Sequence, residues 1–168
     1  MNKYNTLGRR FVAALIDGII LYPLIFIEET TNDLADKSLF SIGIFISSFL
    51  YILYFIVLHA KYGQTLGKKL TNIKVIDIAE ISVIGFKRAT MRELPWIIAS
   101  GLSFLYLITS FFLFKNADLN TLKENYNDLS SIISLSWLVI ELITMFTNSK
   151  RRAIHDLLAK AVVIKTKN

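Results

Sequence analysis

Cysteine is absent from the sequence, which excludes disulfides and thiolate metal sites and argues against redox chemistry. Histidine is scarce: only His59 and His155 occur, so a zinc site would have to borrow carboxylates. No metal-ligand spacing is present, and neither a metal nor a cofactor is expected. No nucleophile is set beside a base. The stretch "GQTLGKKL" is not a phosphate-binding loop, because three residues rather than four separate Gly63 from Gly67, and Lys69 rather than Ser or Thr follows Lys68. The sequence therefore predicts a protein that is not an enzyme.

Charge is also missing from long stretches of the chain. Of the 168 residues 54% are hydrophobic, and the mean hydropathy is +0.50. The apolar residues gather into four blocks, at about 10–27, 39–60, 94–114 and 130–147, each near the ~20 residues that a spanning helix needs. The composition predicts an all-α membrane protein with four transmembrane helices, forming a single membrane domain over residues 1–168. The first block is too long for a cleaved signal, and Glu28 and Glu29 stand where a cleavage site would be. It is expected to persist as a helix.

The remaining charges orient the chain. Lys3, Arg9 and Arg10 precede the first block. Seven basic residues between Lys61 and Arg92 lie in the loop 61–93, and six between Lys150 and Lys167 lie in the tail 148–168. The two other connections hold only Lys37, Lys115 and Lys123, and the first also carries Glu28, Glu29, Asp33 and Asp36. By the positive-inside rule both termini and the central loop face the cytoplasm. Topology alone accounts for the net charge of +6, so no nucleic-acid partner is inferred.

The central loop is patterned. Thr65 is placed to cap a short turn, with Lys68 and Lys69 facing lipid headgroups. "NIKVIDI" alternates as a short strand, and "GFKRATMREL" reads as an amphipathic helix running into Pro95 and the third span. In the tail, "RRAIHDLLAK" sets Ile154, Leu157 and Leu158 on one helical face, and "AVVIKTK" is β-branched. Two isolated strands are marginal, so residues 162–164 are expected to pair with residues 73–76.

Three segments, "RFVAALID", "GQTLGKKLTNIKVID" and "RRAIHDLLAKAVVI", resemble the RDD family of bacterial membrane proteins. The positions matching the arginine and two aspartates that name the family are Arg10, Asp17 and Asp156. The chain departs from the family pattern at Ala79 and Glu80, where an Asp-Gly type turn often follows the strand, and at Ala161, where threonine is frequent. The resemblance implies a multi-pass protein of the bacterial inner membrane. It also implies, for some members, an activity resembling cation/proton antiport.

Asp17 lies inside the first block, two helical turns from Arg10 on the same face, or about 10 Å of rise. Glu141 lies in the last block at a similar depth from the loop side. An unpaired charge at such depth costs at least ~2.5–3.5 kcal/mol, so both carboxylates are expected to face the bundle interior and to meet there as a site for a proton or a monovalent cation. Arg10 and Asp156 then gate the cytoplasmic side. This reading predicts a small transporter exchanging Na+ or Li+ against H+, and four helices are few for two access pathways, so a homo-oligomer in the lipid bilayer is expected. The competing reading is a membrane scaffold or accessory subunit, in which arginine seals the same carboxylates and locks the bundle. His59 and Tyr54 are read as interfacial, and His155 as a surface residue on a different helical face from Asp156. Cysteines introduced at Lys74 and Asn120 test the topology: impermeant label should reach position 74 from the cytoplasm and position 120 from the opposite side, and labelling of position 120 from the cytoplasm would refute the four-span order.

Overall fold

The computed structural model describes residues 3–33, 37–113 and 119–166. Asp36, Phe114, Lys115 and Lys167 lie outside the described residues, as do the side chains of Glu28, Glu29, Asp33, Lys37 and Lys123. The apolar blocks form four long helices, α1 (Leu7–Asp33), α2 (Lys37–Tyr62), α4 (Gly85–Leu113) and α5 (Leu119–Thr147). An apolar stretch of this length satisfies its backbone only by pairing within itself. Each helix outruns its predicted block because the flanking polar residues continue the same ladder. "GFKRATMREL" makes no helix of its own: it forms the first turns of α4, which runs on through Pro95.

By length and composition, Leu39–Tyr62 and Glu124–Thr147 are apolar enough to cross a membrane. The outward faces of all four long helices carry large apolar side chains, among them Ile19, Phe49, Leu102 and Phe146, each more than half exposed. A water-exposed surface rarely carries so much contiguous apolar area. The helices pack in the order α1 on α2, α2 on α4 and α4 on α5.

The shorter elements gather at one end of the bundle. They are α3 (Leu66–Leu70), β1 (Ile73–Asp77), α6 (Ile154–Leu158) and β2 (Ala161–Lys165). The two strands pair antiparallel, with Ile73 opposite Lys165 and Asp77 opposite Ala161. The expected pairing is present, but it joins remote segments of chain and is not a hairpin. What stabilises so small a sheet is its cover: Ile73, Val75 and Val163 are fully buried in one cluster with Ala13, Ala60, Ala89 and Ala159 from the helices. Small residues on the helices let the sheet approach closely.

Gly63 fixes the entry into this layer. Its φ is +68°, and an added Cβ would sit 2.4 Å from the carbonyl oxygen of Val75, whose amide donates to the Gly63 carbonyl at 2.7 Å. Only glycine meets both conditions. Because the Val75 amide points away from β2, Val75 and Val163 form a non-hydrogen-bonded pair, for which the Cα separation is about 4.5 Å. That lies within disulfide range. Cysteines at these two positions should oxidise to an intramolecular disulfide, read as a reducible mobility shift, and absence of a crosslink here and at the adjacent registers would mean that the tail is free.

Candidate functional site

Asp17 is 2% exposed. Its carboxylate reaches from α1 to the start of α3, where it accepts from Tyr54 Oη at 2.8 Å, Thr65 Oγ1 at 2.6 Å and the Gly67 amide at 2.8 Å. Thr65 caps α3 as predicted, accepting from the Lys68 amide at 3.2 Å. Tyr54, read from sequence as an interfacial anchor, instead ties α2 to this carboxylate and accepts from the Leu66 amide at 3.2 Å. α3 approaches α1 so closely that a Cβ on Gly67 would lie 2.2 Å from the Ala13 carbonyl oxygen and 2.9 Å from Asp17 Cγ. Asp17 therefore works as an external cap, stabilising α3 through donors that carry no charge.

Arg10 does not join it. Its guanidinium turns to the tail, where Nη1 donates to Asp156 Oδ2 at 2.6 Å and Nη2 to the Arg151 carbonyl at 3.1 Å, while Nε donates to Thr6 Oγ1 at 3.1 Å. Asp156 is fully buried. Its other oxygen accepts from Arg92 Nε at 3.0 Å, and Oδ2 also accepts from the Ala153 amide at the start of α6, at 3.3 Å. Burial pushes the Asp156 carboxyl up, but Arg10, His155 and Arg92 outweigh it and hold it well below the usual carboxylate range. The expected single cluster of Arg10, Asp17 and Glu141 is thus two clusters, because α3 reaches Asp17 first and the tail reaches Arg10.

Arg92 extends the second cluster. Its Nη2 donates to His155 Nε2 at 2.7 Å. A guanidinium has no lone pair to offer, so Nε2 accepts and the proton of the imidazole sits on Nδ1, facing Glu141 Oε1. The same oxygen accepts from Trp137 Nε1 at 2.6 Å. On the opposite side Nη1 of Arg92 lies 3.4 Å from Glu93 Oε1 and 3.3 Å from Nε2 of the fully buried His59. His155 is therefore not a surface residue, and His59 is not an interfacial ring. Asp17 and Glu141 do not touch: each is held by its own partners, and neither is hydrogen-bonded to an arginine among the described residues.

Both carboxylates nevertheless line one cavity. It measures about 570 Å³ and lies between α1, α2, α4 and α5, with Asp17, Glu93, Glu141, Arg92 and Lys68 on its walls. A smaller cavity of about 210 Å³, lined by Ser47, Ser48 and Ser100, lies farther from the loop end and shares Tyr51 and Trp96 with the first. Lys69 is exposed as expected, but Lys68 turns inward, with Nζ 5.7 Å from the Phe55 ring centre. Burial, reinforced by Arg92, pushes its ammonium down to about 8. No group of three or more His, Asp or Glu side chains among the described residues is placed to hold a metal ion.

The RDD family model matches residues 4–160. The chain belongs to the RDD family. No curated protein and no solved structure matches it. The arginine and aspartates of the family name thus divide in this RDD protein: Arg10 and Asp156 pair with each other, and Asp17 secures the loop. Sequence reading placed none of Arg92, Glu93 and His155 in a site: Arg92 counted only as loop charge and His155 as a surface residue, because their partners are remote in the chain. The available signal was the adjacent pair "RE" directly before an apolar block, since charges at that border need partners.

Double-mutant cycles test the division. Arg10→Gln and Asp17→Asn share no partner and should add within about 0.5 kcal/mol in denaturant unfolding of the purified protein. Arg10→Gln and Asp156→Asn should instead couple by about 1–3 kcal/mol. Gly67→Ala should cost about 1–3 kcal/mol by overpacking against Ala13.

Proposed function

We propose that this RDD protein is a four-span transporter of the bacterial inner membrane, with both termini in the cytoplasm, that exchanges a monovalent cation against protons. The observation that carries the reading is the shared cavity: Asp17 and Glu141 border one space, and neither is hydrogen-bonded to an arginine among the described residues. Intramembrane carboxylates on a cavity wall are by default functional. Of the two, Glu141 is the better carrier. Asp17 has both oxygens committed to Tyr54, Thr65 and Gly67, whereas the hydrogen bonds of Glu141 all fall on Oε1.

A proton on Glu141 cancels the charge that would otherwise hold a Na+ or Li+ ion, so the two compete for one carboxylate. That competition is the minimum requirement for exchange. His155, fixed with Nδ1–H toward Glu141 by Arg92, orients the carboxylate. Arg10 and Asp156 hold the tail beneath the cavity. Four helices leave little room for a second access route, which favours a homo-oligomer. No chemical reaction is assigned.

The saturation of Asp17 and Asp156 favours a second reading, an accessory subunit whose charges only lock the bundle. Flux in proteoliposomes separates them. Transport predicts sodium- or lithium-driven proton movement that Glu141→Gln abolishes while the protein still inserts, and that Asp17→Asn lowers mainly through lost thermal stability. Wild-type vesicles no more active than empty liposomes would leave the accessory subunit.

A further inference from the structure

The cavity is open on one side. α1 packs on α2 and α3, and α5 packs on α4 and α6, but α1 and α5 barely touch. At this seam Phe11 of α1 and Leu138 of α5 line the cavity and are still 65% and 52% exposed. The opening therefore has apolar lips, on a surface whose surroundings are apolar as well.

Inside, most charges are matched. Arg10 and Arg92 serve Asp156, Glu93 lies against Arg92 and His59, and Asp17 is covered by its three donors. Glu93 meets Arg92 and His59 through Oε1 alone, and two further groups on the wall are open. Lys68 Nζ has no hydrogen-bond or ion-pair partner among the described residues and rests only on the Phe55 ring. Glu141 Oε2 likewise accepts no hydrogen bond there, since His155 and Trp137 both donate to Oε1. One open ammonium and one open carboxylate oxygen thus border the same, largely apolar cavity. Both residues are half-buried, and a ligand that brings the opposite charge to each gains a charge-assisted contact.

We propose that the α1/α5 seam binds a phospholipid with a primary amine in its headgroup, its phosphate on Lys68, its ammonium on Glu141 and an acyl chain along Phe11 and Leu138. A zwitterion answers both open groups at once. An anionic headgroup without an amine would leave Glu141 open and set a second negative charge near it, and a trimethylated amine cannot donate a hydrogen bond. The half-buried Lys68 ammonium, with only the Phe55 ring beside it, gains a charged partner from a phosphate. The binding does not depend on ion transport. If the transport reading holds as well, the lipid shares Glu141 with the exchanged ion and acts as its competitor.

Native mass spectrometry of the purified protein tests this with phosphatidylethanolamine, phosphatidylglycerol and phosphatidylcholine of identical chains. Phosphatidylethanolamine should bind at least about fivefold more tightly than the other two, the effect of one charge contact near a membrane surface. Lys68→Gln should weaken it about fivefold, Lys68→Arg should restore it, and Glu141→Gln should erase the preference over phosphatidylglycerol. Lys68 makes no side-chain hydrogen bond, so its variants are expected to fold, and unchanged thermal unfolding verifies this. Equal retention of the three lipids, or wild-type retention by a folded Lys68→Gln protein, overturns the proposal. So does binding of water-soluble phosphoethanolamine as tight as that of the lipid, which would make the ligand a free headgroup. Closure of the seam by a second copy, seen as a lipid-free dimer, overturns it too.

Discussion

A single carboxylate, Asp156, holds the loop end of this protein together. It is buried without access to water and lies between guanidinium groups from α1 and α4, with Arg10 at 2.6 Å and Arg92 at 3.0 Å. Two cations so close repel each other unless an anion separates them, and an anion so buried needs more than one donor. Each group is tolerable only because the others are present. The tail supplies the carboxylate, so docking of the tail and closure of the bundle are one event. The packing of the sheet's buried face, the orientation of His155 and through it the position of Glu141 all follow.

The Asp17 lock has a different physical character. Its hydrogen-bond donors are a phenol, a hydroxyl and a backbone amide, none of them charged. This suits a place where α3 must lie flat against α1 with Gly67 touching Ala13, because no bulky cation fits there. It also leaves Arg10 free to serve the tail. One helix thereby holds two separate attachments, the loop through Asp17 and the tail through Arg10.

Glu80 shows how a non-glycine residue is accommodated in a tight turn. Its φ is +64°, in the left-handed region where a glycine turn is favoured and a side chain costs of order 1–3 kcal/mol. The side chain offsets this by accepting from Tyr4 Oη at 2.5 Å and Lys150 Nζ at 3.1 Å, and by pairing with Lys3. Those contacts hold the Glu80 carboxyl down at about 2, with Lys3 the largest cause. The turn thus fastens the N-terminal segment and the tail to the loop.

The sequence by itself determined what depends on local chemistry. Block length and apolarity required helices, β-branched runs at 73–76 and 162–164 required strands, and Thr65 before "LGKKL" required a cap. In each case the physical cause lies within a few residues of its effect. Asp17 stood out by type and position, because charge inside lipid-like sequence needs an explanation, and Arg10 and Asp156 by the family resemblance. Which charge meets which was decided only by the tertiary structure. Side chains seven residues apart on one helix share a face but are too far apart to touch, so each is claimed by whichever element arrives: α3 for Asp17, the tail for Arg10. The same holds for the cavity. Glu141, Lys68 and Asp17 are remote in the chain, and the space between them exists because α1 and α5 remain apart, a consequence of helix packing that no local pattern encodes.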